Sequence, residues 1–292
     1  MLKNYNLLHY QLSFTPLSIK MVSFPNCKIN IGLNILAKRK DGYHDLQTIF
    51  YPIAIKDALE IIETDASAGD VIFSSSGIKI NGPQEDNLCI KAFKLLKKDF
   101  PVLPSIKMHL HKTIPMGAGL GGGSADAAFA LQLINKKFSL KLSQEQLLEY
   151  ALQLGSDCPF FIINTPCYAM GRGEILEPFQ LDLSGYSILL VNPGIHINTA
   201  EAFSAISISE NNTNLQDLVS MPLWEWKECI INDFENPVFK AHPQIAAIKD
   251  ELYTLGALYA SMSGSGSTVY GIFSKEQQVP LNFPAHYFYR WV

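Results

Sequence analysis

Ile114-Pro-Met-Gly-Ala-Gly-Leu-Gly-Gly-Gly-Ser-Ala-Asp-Ala-Ala128 is the stretch on which the reading of this chain turns. Five glycines, Gly117, Gly119, Gly121, Gly122 and Gly123, fall within seven residues, and Ser124 follows them. An alanine-rich apolar run then continues to Ile134. Glycine lacks a Cβ, so such a backbone can turn through positive φ and approach a ligand closely. The alanines and leucines beyond it are strong helix formers. The pattern therefore predicts a glycine loop feeding a helix N-terminus. Free N–H groups and the positive end of the helix dipole make that junction an anion site, most often for phosphate.

Three glycine-loop chemistries compete for this pattern. Gly117-x-Gly119-x-x-Gly122 satisfies the dinucleotide fingerprint, but that fold wants an acidic residue at the end of the next strand, about 20 residues on. Here Ser143 to Leu154 reads as a helix. The P-loop also fails, because Gly123 follows Gly122 where that motif needs its lysine. The third chemistry has a proline before the glycines and Ser-Ala-Asp after them, as in Pro115-Met-Gly-Ala-Gly-Leu-Gly-Gly-Gly-Ser124. A flexible linker would not run straight into an amphipathic helix.

Working outward, a length of 292 residues suits one large domain or two smaller ones. A chain 48% hydrophobic and 17% charged can bury a core and is not disordered by composition. A net charge of −4 gives no electrostatic footprint for nucleic acid. The five cysteines form no C-x-x-C pair, which suits buried thiols in a reducing cytoplasm. No apolar run reaches membrane-span length and no signal peptide stands out, so we expect a cytoplasmic protein without membrane contact. Residues 1–20 show no clear period and read either as an upstream extension before a natural start at Met21 or as an N-terminal strand.

Cys27 to Ala37 reads as an apolar strand on which Lys28 and Asn30 share one face. A buried lysine needs a partner. A wet edge strand and a site for an anion or hydroxyl both account for the pair. Asp41-Gly42 is a hairpin-turn signal, followed at once by Tyr43 and His44, which by themselves are ordinary surface residues. Strands are expected at Gln47–Tyr51, Ala58–Ile62, Val71–Ser74 and Ile78–Ile80, with Asp57 and Asp70 in turns. A helix is expected over Asn87–Asp99, with Asp86 near its cap. Strand Ile106–His111 puts His109 and His111 on one face, either solvated or, less simply, part of a metal site.

Ser143-x-x-Gln146 is a capping-box pattern and Gly155 a stop signal. Asp157 precedes an apolar run with Pro159 in the first helical turn, so a capping aspartate is the plain reading. A strand pair surrounds Gly171-Arg172-Gly173, and Pro178 to Gly185 marks a boundary region. Further on, Thr199 reads as the cap of a helix carrying Phe203. A helix over His242–Leu255 ends at Gly256. Two strands, Ala257–Met262 and Val269–Phe273, flank a second small-residue loop, Ser263-Gly-Ser-Gly-Ser-Thr268.

Taken together, Pro25-x-Cys27-Lys28-Ile29-Asn30, Arg39-x-Asp41-Gly42-Tyr43-His44, the Pro115–Ala125 loop and Gly155-x-Asp157-x-Pro159 resemble the GHMP kinases, the galactokinase, homoserine and mevalonate kinase group. The resemblance spans nearly all of the chain from residue 21. It implies an α+β fold of two domains, here 21–175 with the phosphate loop and 176–292, with the active site in the groove between them. It implies transfer of the γ-phosphoryl of ATP to a hydroxyl, with Mg²⁺.

Lys28 and Asp157 would then be catalytic, the lysine offsetting phosphate charge and the aspartate accepting the hydroxyl proton. Pro115, Met116, Gly117, Ala118, Gly119, Leu120, Gly121, Gly122, Gly123, Ser124 and Ala125 would form the ATP site, with the Ser124 hydroxyl suited to a phosphate or the Mg²⁺ shell. The family often has a second serine and an asparagine where this chain has Ala125 and Asp126, so the Ala125 side chain carries no role and Asp126 a weak one. The Lys-x-Asn and Asp-Gly-Tyr-His segments narrow the implied substrate to a small molecule, cytidine-diphospho-methylerythritol of non-mevalonate isoprenoid synthesis. Tyr43 and Phe203 would sandwich its cytosine and His44 would read the polar edge, with Asn30 and Thr199 also on the substrate. The alternatives are a kinase of the homoserine or mevalonate type, or a non-catalytic nucleotide-binding homologue.

Overall fold

The computed structural model describes residues 21–65, 71–206, 214–275, 277 and 279–292. In chain order the elements are β1 (Met21–Ser23), β2 (Asn26–Lys38), β3 (His44–Lys56), β4 (Ala58–Glu63), β5 (Val71–Gly77), α1 (Leu88–Asp99), β6 (Ile106–Lys112), α2 (Gly122–Lys137), α3 (Gln144–Leu154), α4 (Cys158–Ile163), β7 (Cys167–Gly171) and β8 (Ile175–Pro178). There follow β9 (Tyr186–Asn192), α5 (Thr199–Ser204), α6 (Leu215–Val219), α7 (Trp226–Cys229), α8 (Glu235–Ala241), α9 (Pro243–Thr254), β10 (Tyr259–Met262), β11 (Val269–Ser274) and β12 (Phe288–Trp291). The architecture is α+β, as expected.

Three four-stranded sheets organise these elements, in the orders β1-β4-β6-β5, β2-β3-β7-β8 and β10-β11-β9-β12. All the pairings are antiparallel except β5 with β6. The first sheet buries Leu59, Ile61, Ile106 and Met108 against Phe93 of α1, Leu131 and Ile134 of α2, and Phe161 of α4. A second core joins the other two sheets: Ile29, Ile31 and Ile49 pack with Leu190, Tyr259 and Tyr270, and Trp226 closes it. The third sheet's remaining core residues, Val191, Val269 and Phe273, meet Ile245, Ile248 and Leu252 of α9. The middle sheet is thus gripped from both sides, and β2 becomes the strand that reaches every part of the site.

Local signals explain most boundaries. The β2–β3 hairpin turns at Asp41-Gly42, where Gly42 has a φ of +87°, and Arg39 clips the turn by pairing with Asp41 at 3.1 Å and Asp45 at 2.9 Å. The expected capping box opens α3 with both reciprocal bonds present. Gly256, just past α9, is left-handed at +94°.

Three local expectations are corrected. Ile78–Ile80 is irregular, since the strand ends at Gly77. Asn198 caps α5 through Ala200 and Glu201, so Thr199 is not the cap, whereas α1 is capped by Asn87 through the amide of Cys89, with Asp86 next to the cap as expected. Gly155 ends α3 in extended backbone, without the left-handed turn expected of it. The possible extension at 1–20 and the turn at Asp70 lie outside the described residues. Among the described residues no helix is long and apolar enough to cross a membrane.

Candidate active site

The glycine loop leaves β6 and enters α2, as its sequence predicted. Its glycines answer to different constraints. Gly117, Gly119 and Gly121 are left-handed, with φ of +60°, +77° and +67°, a region that disfavours any Cβ. At Gly119 a Cβ would also lie 1.9 Å from the carbonyl oxygen of Ser263, and at Gly121 it would lie 3.2 Å from Cε of Lys28. The loop is therefore pressed against the second small-residue loop on one side and the lysine on the other. A Cβ at Gly122 would meet Ile114 at 2.9 Å, whereas one at Gly123 would meet only Leu88, at 4.0 Å.

Lys28 reaches the loop from β2. Its backbone amide donates to the Leu120 carbonyl at 3.0 Å. Its Nζ donates to Asn30 Oδ1, stands 3.5 Å from Asp157 Oδ2 and lies 4.8 Å from the Phe50 ring centre. Asn30 is fixed in turn: its Nδ2 donates to Thr48 Oγ1 at 3.0 Å, and Thr48 donates to the Gly32 carbonyl at 2.6 Å. Both side chains on this face are buried, so the wet-edge reading of the pair fails.

Asp157 occupies the N-cap position of α4 but makes no side-chain cap bond. Pro159, near the start of that helix, offers no N–H. The carboxylate turns to Lys28 and remains 34% exposed, against 4% for the lysine side chain. An ion pair with one sealed partner and one open partner leaves the acid reachable by a substrate.

These groups line a cavity of 410 Å³ with Pro115, Gly117, Ala118, Gly119, Gly121, Gly122, Gly123 and Ser124 on one wall and Gly264, Ser265 and Gly266 on another. Leu120 and Ala125 point into the core, and Met116 lines smaller neighbouring cavities, so these three loop residues stand apart from that wall. Cys158 lies beside Ser124, but burial pushes its thiol up to about 12, which keeps it protonated and inert.

A second cavity, of 490 Å³, adjoins the first and is lined by Tyr43, His44, Arg172, Thr199 and Phe203 among others. His44 stacks on Phe203 at 4.8 Å and 12° between planes, and Phe203 meets Phe234 edge-on at 4.8 Å. Tyr43 lies under the Arg172 guanidinium, 4.8 Å from its ring centre. Tyr43 and Phe203 therefore each stack on another side chain, His44 in the case of Phe203. Thr199 Oγ1 is 3.1 Å from Ser265 Oγ, linking this cavity to the late loop.

A model of the GHMP kinase N-terminal domain matches residues 87–165, and one of the C-terminal domain matches residues 208–283. A Bacteroides fragilis protein named 4-diphosphocytidyl-2-C-methyl-D-erythritol kinase is 51% identical over 259 residues, covering 89% of this chain and 94% of that one. This chain belongs to the GHMP kinase family. A Cytophaga hutchinsonii protein of the same name is 47% identical, over 88% and 94% of the two chains. Among solved structures, a 4-(cytidine 5'-diphospho)-2C-methyl-D-erythritol kinase superposes with a TM-score of 0.76 at 28% identity, covering 87% of this chain and 91% of that one. The Methanococcus jannaschii mevalonate kinase, at 14% identity and a TM-score of 0.62 over 90% and 93%, shares the fold.

The GHMP kinase site also contains residues that the sequence did not announce. Thr48 holds Asn30, and His196 packs on the loop, 3.2 Å from where a Gly117 Cβ would stand. Behind the loop, Lys112 donates to Asp57 and, at 2.6 Å, to Asp126. Asp57 Oδ1 accepts from the amides of Thr113 at 2.6 Å and Ile114 at 3.0 Å. This cluster ties the strand entering the glycine loop to the helix leaving it. Burial pushes the Asp126 carboxyl up to about 7, the Asp57 carboxylate adds to the rise, and Lys112 holds it down. Asp126, given only a weak role from sequence, is thus part of the scaffold under the loop. His109 and His111 bond to Ser74 and Ser76. Among the described residues no group of three metal-binding side chains forms there or elsewhere.

Proposed function

We propose that this GHMP kinase transfers the γ-phosphoryl group of ATP to a hydroxyl of 4-diphosphocytidyl-2-C-methyl-D-erythritol, a step of non-mevalonate isoprenoid precursor synthesis in the cytoplasm. The carrying observation is the Lys28–Asp157 pair standing between a phosphate-binding loop and an aromatic cavity. Residues 21–175 supply the loop and the pair in this reading, and 176–292 close the groove with the 263–268 loop.

Phosphoryl transfer needs in-line positioning and charge stabilisation more than covalent help. Backbone N–H groups of Gly117 to Gly123 and the N-terminus of α2 would hold the ATP phosphates. The substrate hydroxyl oxygen attacks the γ-phosphorus, its proton passes to Asp157, and the bond to the ADP oxygen breaks. Lys28, held by Asn30, offsets the charge on the transferring group and orients Asp157. The aromatic groups Tyr43, His44 and Phe203 would take the cytosine, with Thr199 at the rim.

The donor set fits Mg²⁺ in the manner of kinases, which hold that ion through one or two protein oxygens and the phosphates themselves. Ser124 Oγ and the open carboxylate of Asp157 are among the oxygens lining the cavity and would hold the ion. When bound, the ion would neutralise phosphate charge. Kinases acting on homoserine or mevalonate have no use for an aromatic cavity beside the catalytic pair, which favours the cytidine reading.

An ATP-consumption assay comparing cytidine-diphospho-methylerythritol with its uridine analogue and with mevalonate tests this. Turnover with the cytidine compound, and little with the others, is expected. Preference for mevalonate would refute the substrate, and no ATP turnover with any of them would refute catalysis.

A further inference from the structure

The two cavities share four lining residues, Leu46, Arg172, Thr199 and Phe203, and Arg172 is the only charged one among them. Lys28 and His196 face the catalytic cavity alone, and Lys38 the aromatic cavity alone. Arg172 sits in the turn between β7 and β8. Its neighbour Gly173 lies against the catalytic acid, with a Cβ position 3.9 Å from Asp157 Oδ1, while its own guanidinium covers Tyr43 at 4.8 Å. The arginine thus bridges the base-binding end and the reacting end.

Its side chain is also aimed. Nε bonds Glu174 Oε1 at 3.3 Å, and the Arg172 amide donates to Glu174 Oε2 at 2.5 Å. That fixes one edge of the guanidinium, and its two terminal nitrogens make no hydrogen bond among the described residues. A pre-set arginine fork with free donors matches paired phosphate oxygens better than any other side chain.

Resting on the substrate reading above, we propose that Arg172 binds the diphosphate of the cytidine substrate, fixing the distance between the stacked base and the hydroxyl presented to Asp157. A molecule with cytosine in the aromatic cavity and its hydroxyl at Asp157 has to carry its diphosphate across the joint between the cavities. Arg172 is a positioning and specificity residue in this assignment: it selects a nucleoside diphosphate over the bare nucleoside.

The test compares binding of CDP and of cytidine to wild type and to Arg172→Met, with the phosphate loop kept filled by a saturating non-hydrolysable ATP analogue. Wild type should prefer CDP, and Arg172→Met should lose roughly tenfold to a hundredfold of that preference while binding cytidine as before. Arg172→Lys, which keeps the charge without the fork, should fall between. In turnover, KM for the cytidine substrate should rise by a similar factor with KM for ATP unchanged. The preference is a ratio within one protein, so loss of folded material does not imitate the result. Equal CDP preference in both proteins overturns the assignment and leaves the substrate reading standing, as does a wild type that binds CDP and cytidine equally. A rise confined to KM for ATP would move Arg172 to the phosphoryl donor. A wild type that binds neither compound overturns both readings.

Discussion

Lys28 and Lys112 approach the glycine loop from opposite sides, and each ends on aspartate. Lys28 faces a single acid, Asp157, which is 34% exposed on the wall of a cavity. Lys112 faces two, Asp57 and Asp126, and all three side chains are 5% exposed or less. The residue types match, but the solvent does not. A pair with an open member can exchange protons and meet phosphate. A sealed cluster can only be kept or broken, and keeping it fixes the strand and the helix that hold the loop. Access to water thus divides chemistry from scaffolding here.

The comparison breaks first at Asp157. Asp157→Asn cannot take a proton, so kcat should fall roughly 10²–10⁴-fold. The side chain caps nothing and Lys28 keeps its bond to Asn30, so the unfolding midpoint should move only modestly. Near-normal turnover in that variant would leave the open pair without a catalytic role. Lys28→Met should be nearly as damaging to kcat. If the two act on one step, the double variant should be little worse than the worse single one, whereas multiplying effects would show two independent contributions.

On the sealed side, Lys112→Met leaves buried Asp57 and Asp126 without their cation. Removing one member of a buried ion pair typically costs about 3–5 kcal/mol, so denaturant melting should show a loss of that order. A change below about 1 kcal/mol, the scale of surface pairs, would mean that the cluster is not sealed.

The last effect is one of pH. With its carboxyl pushed up to about 7, chiefly by burial, Asp126 keeps a proton that the unfolded chain has already released above its ordinary pKa of about 4. Folding is therefore favoured at the low end of that interval, and the contribution is lost as pH rises towards 7. Asp126→Asn has no such proton, so its urea midpoint should lack this fall between pH 4 and 7. Parallel profiles for the two proteins would place the titration elsewhere.

What the sequence disclosed follows the same division. The glycine loop, the Asp41-Gly42 turn and the Ser143 capping box are local patterns, and each appears where it was read. Lys28 with Asn30 was legible because two residues on a strand must share a face. Asp57, Lys112 and Asp126 come from three separate segments, and Lys112 lies 55 residues from Asp57, so spacing alone could not join them. Arg172 read as a turn residue because the ring it covers, Tyr43, comes from a hairpin far away in sequence. The cap at Asn198 was missed by one residue, since Asn198-Thr199 offers two capping side chains in a row. The plain reading of Asp157 as a cap failed because Lys28, far away in sequence, lies within 3.5 Å.

Gly119 lies so close to Ser263 that the two loops fit as one surface, and the Ser263 hydroxyl closes on the Gly119 carbonyl at 2.8 Å across 144 residues of chain. Thr268 adds a bond from its amide to the Ala118 carbonyl at 3.2 Å. On a ribosome adding about 5–20 residues per second, the second loop emerges on the order of ten seconds after the first. Throughout that interval the phosphate loop has its glycines and no opposing wall. The cavity as it stands in the folded protein is therefore complete only when nearly the last strands have been made.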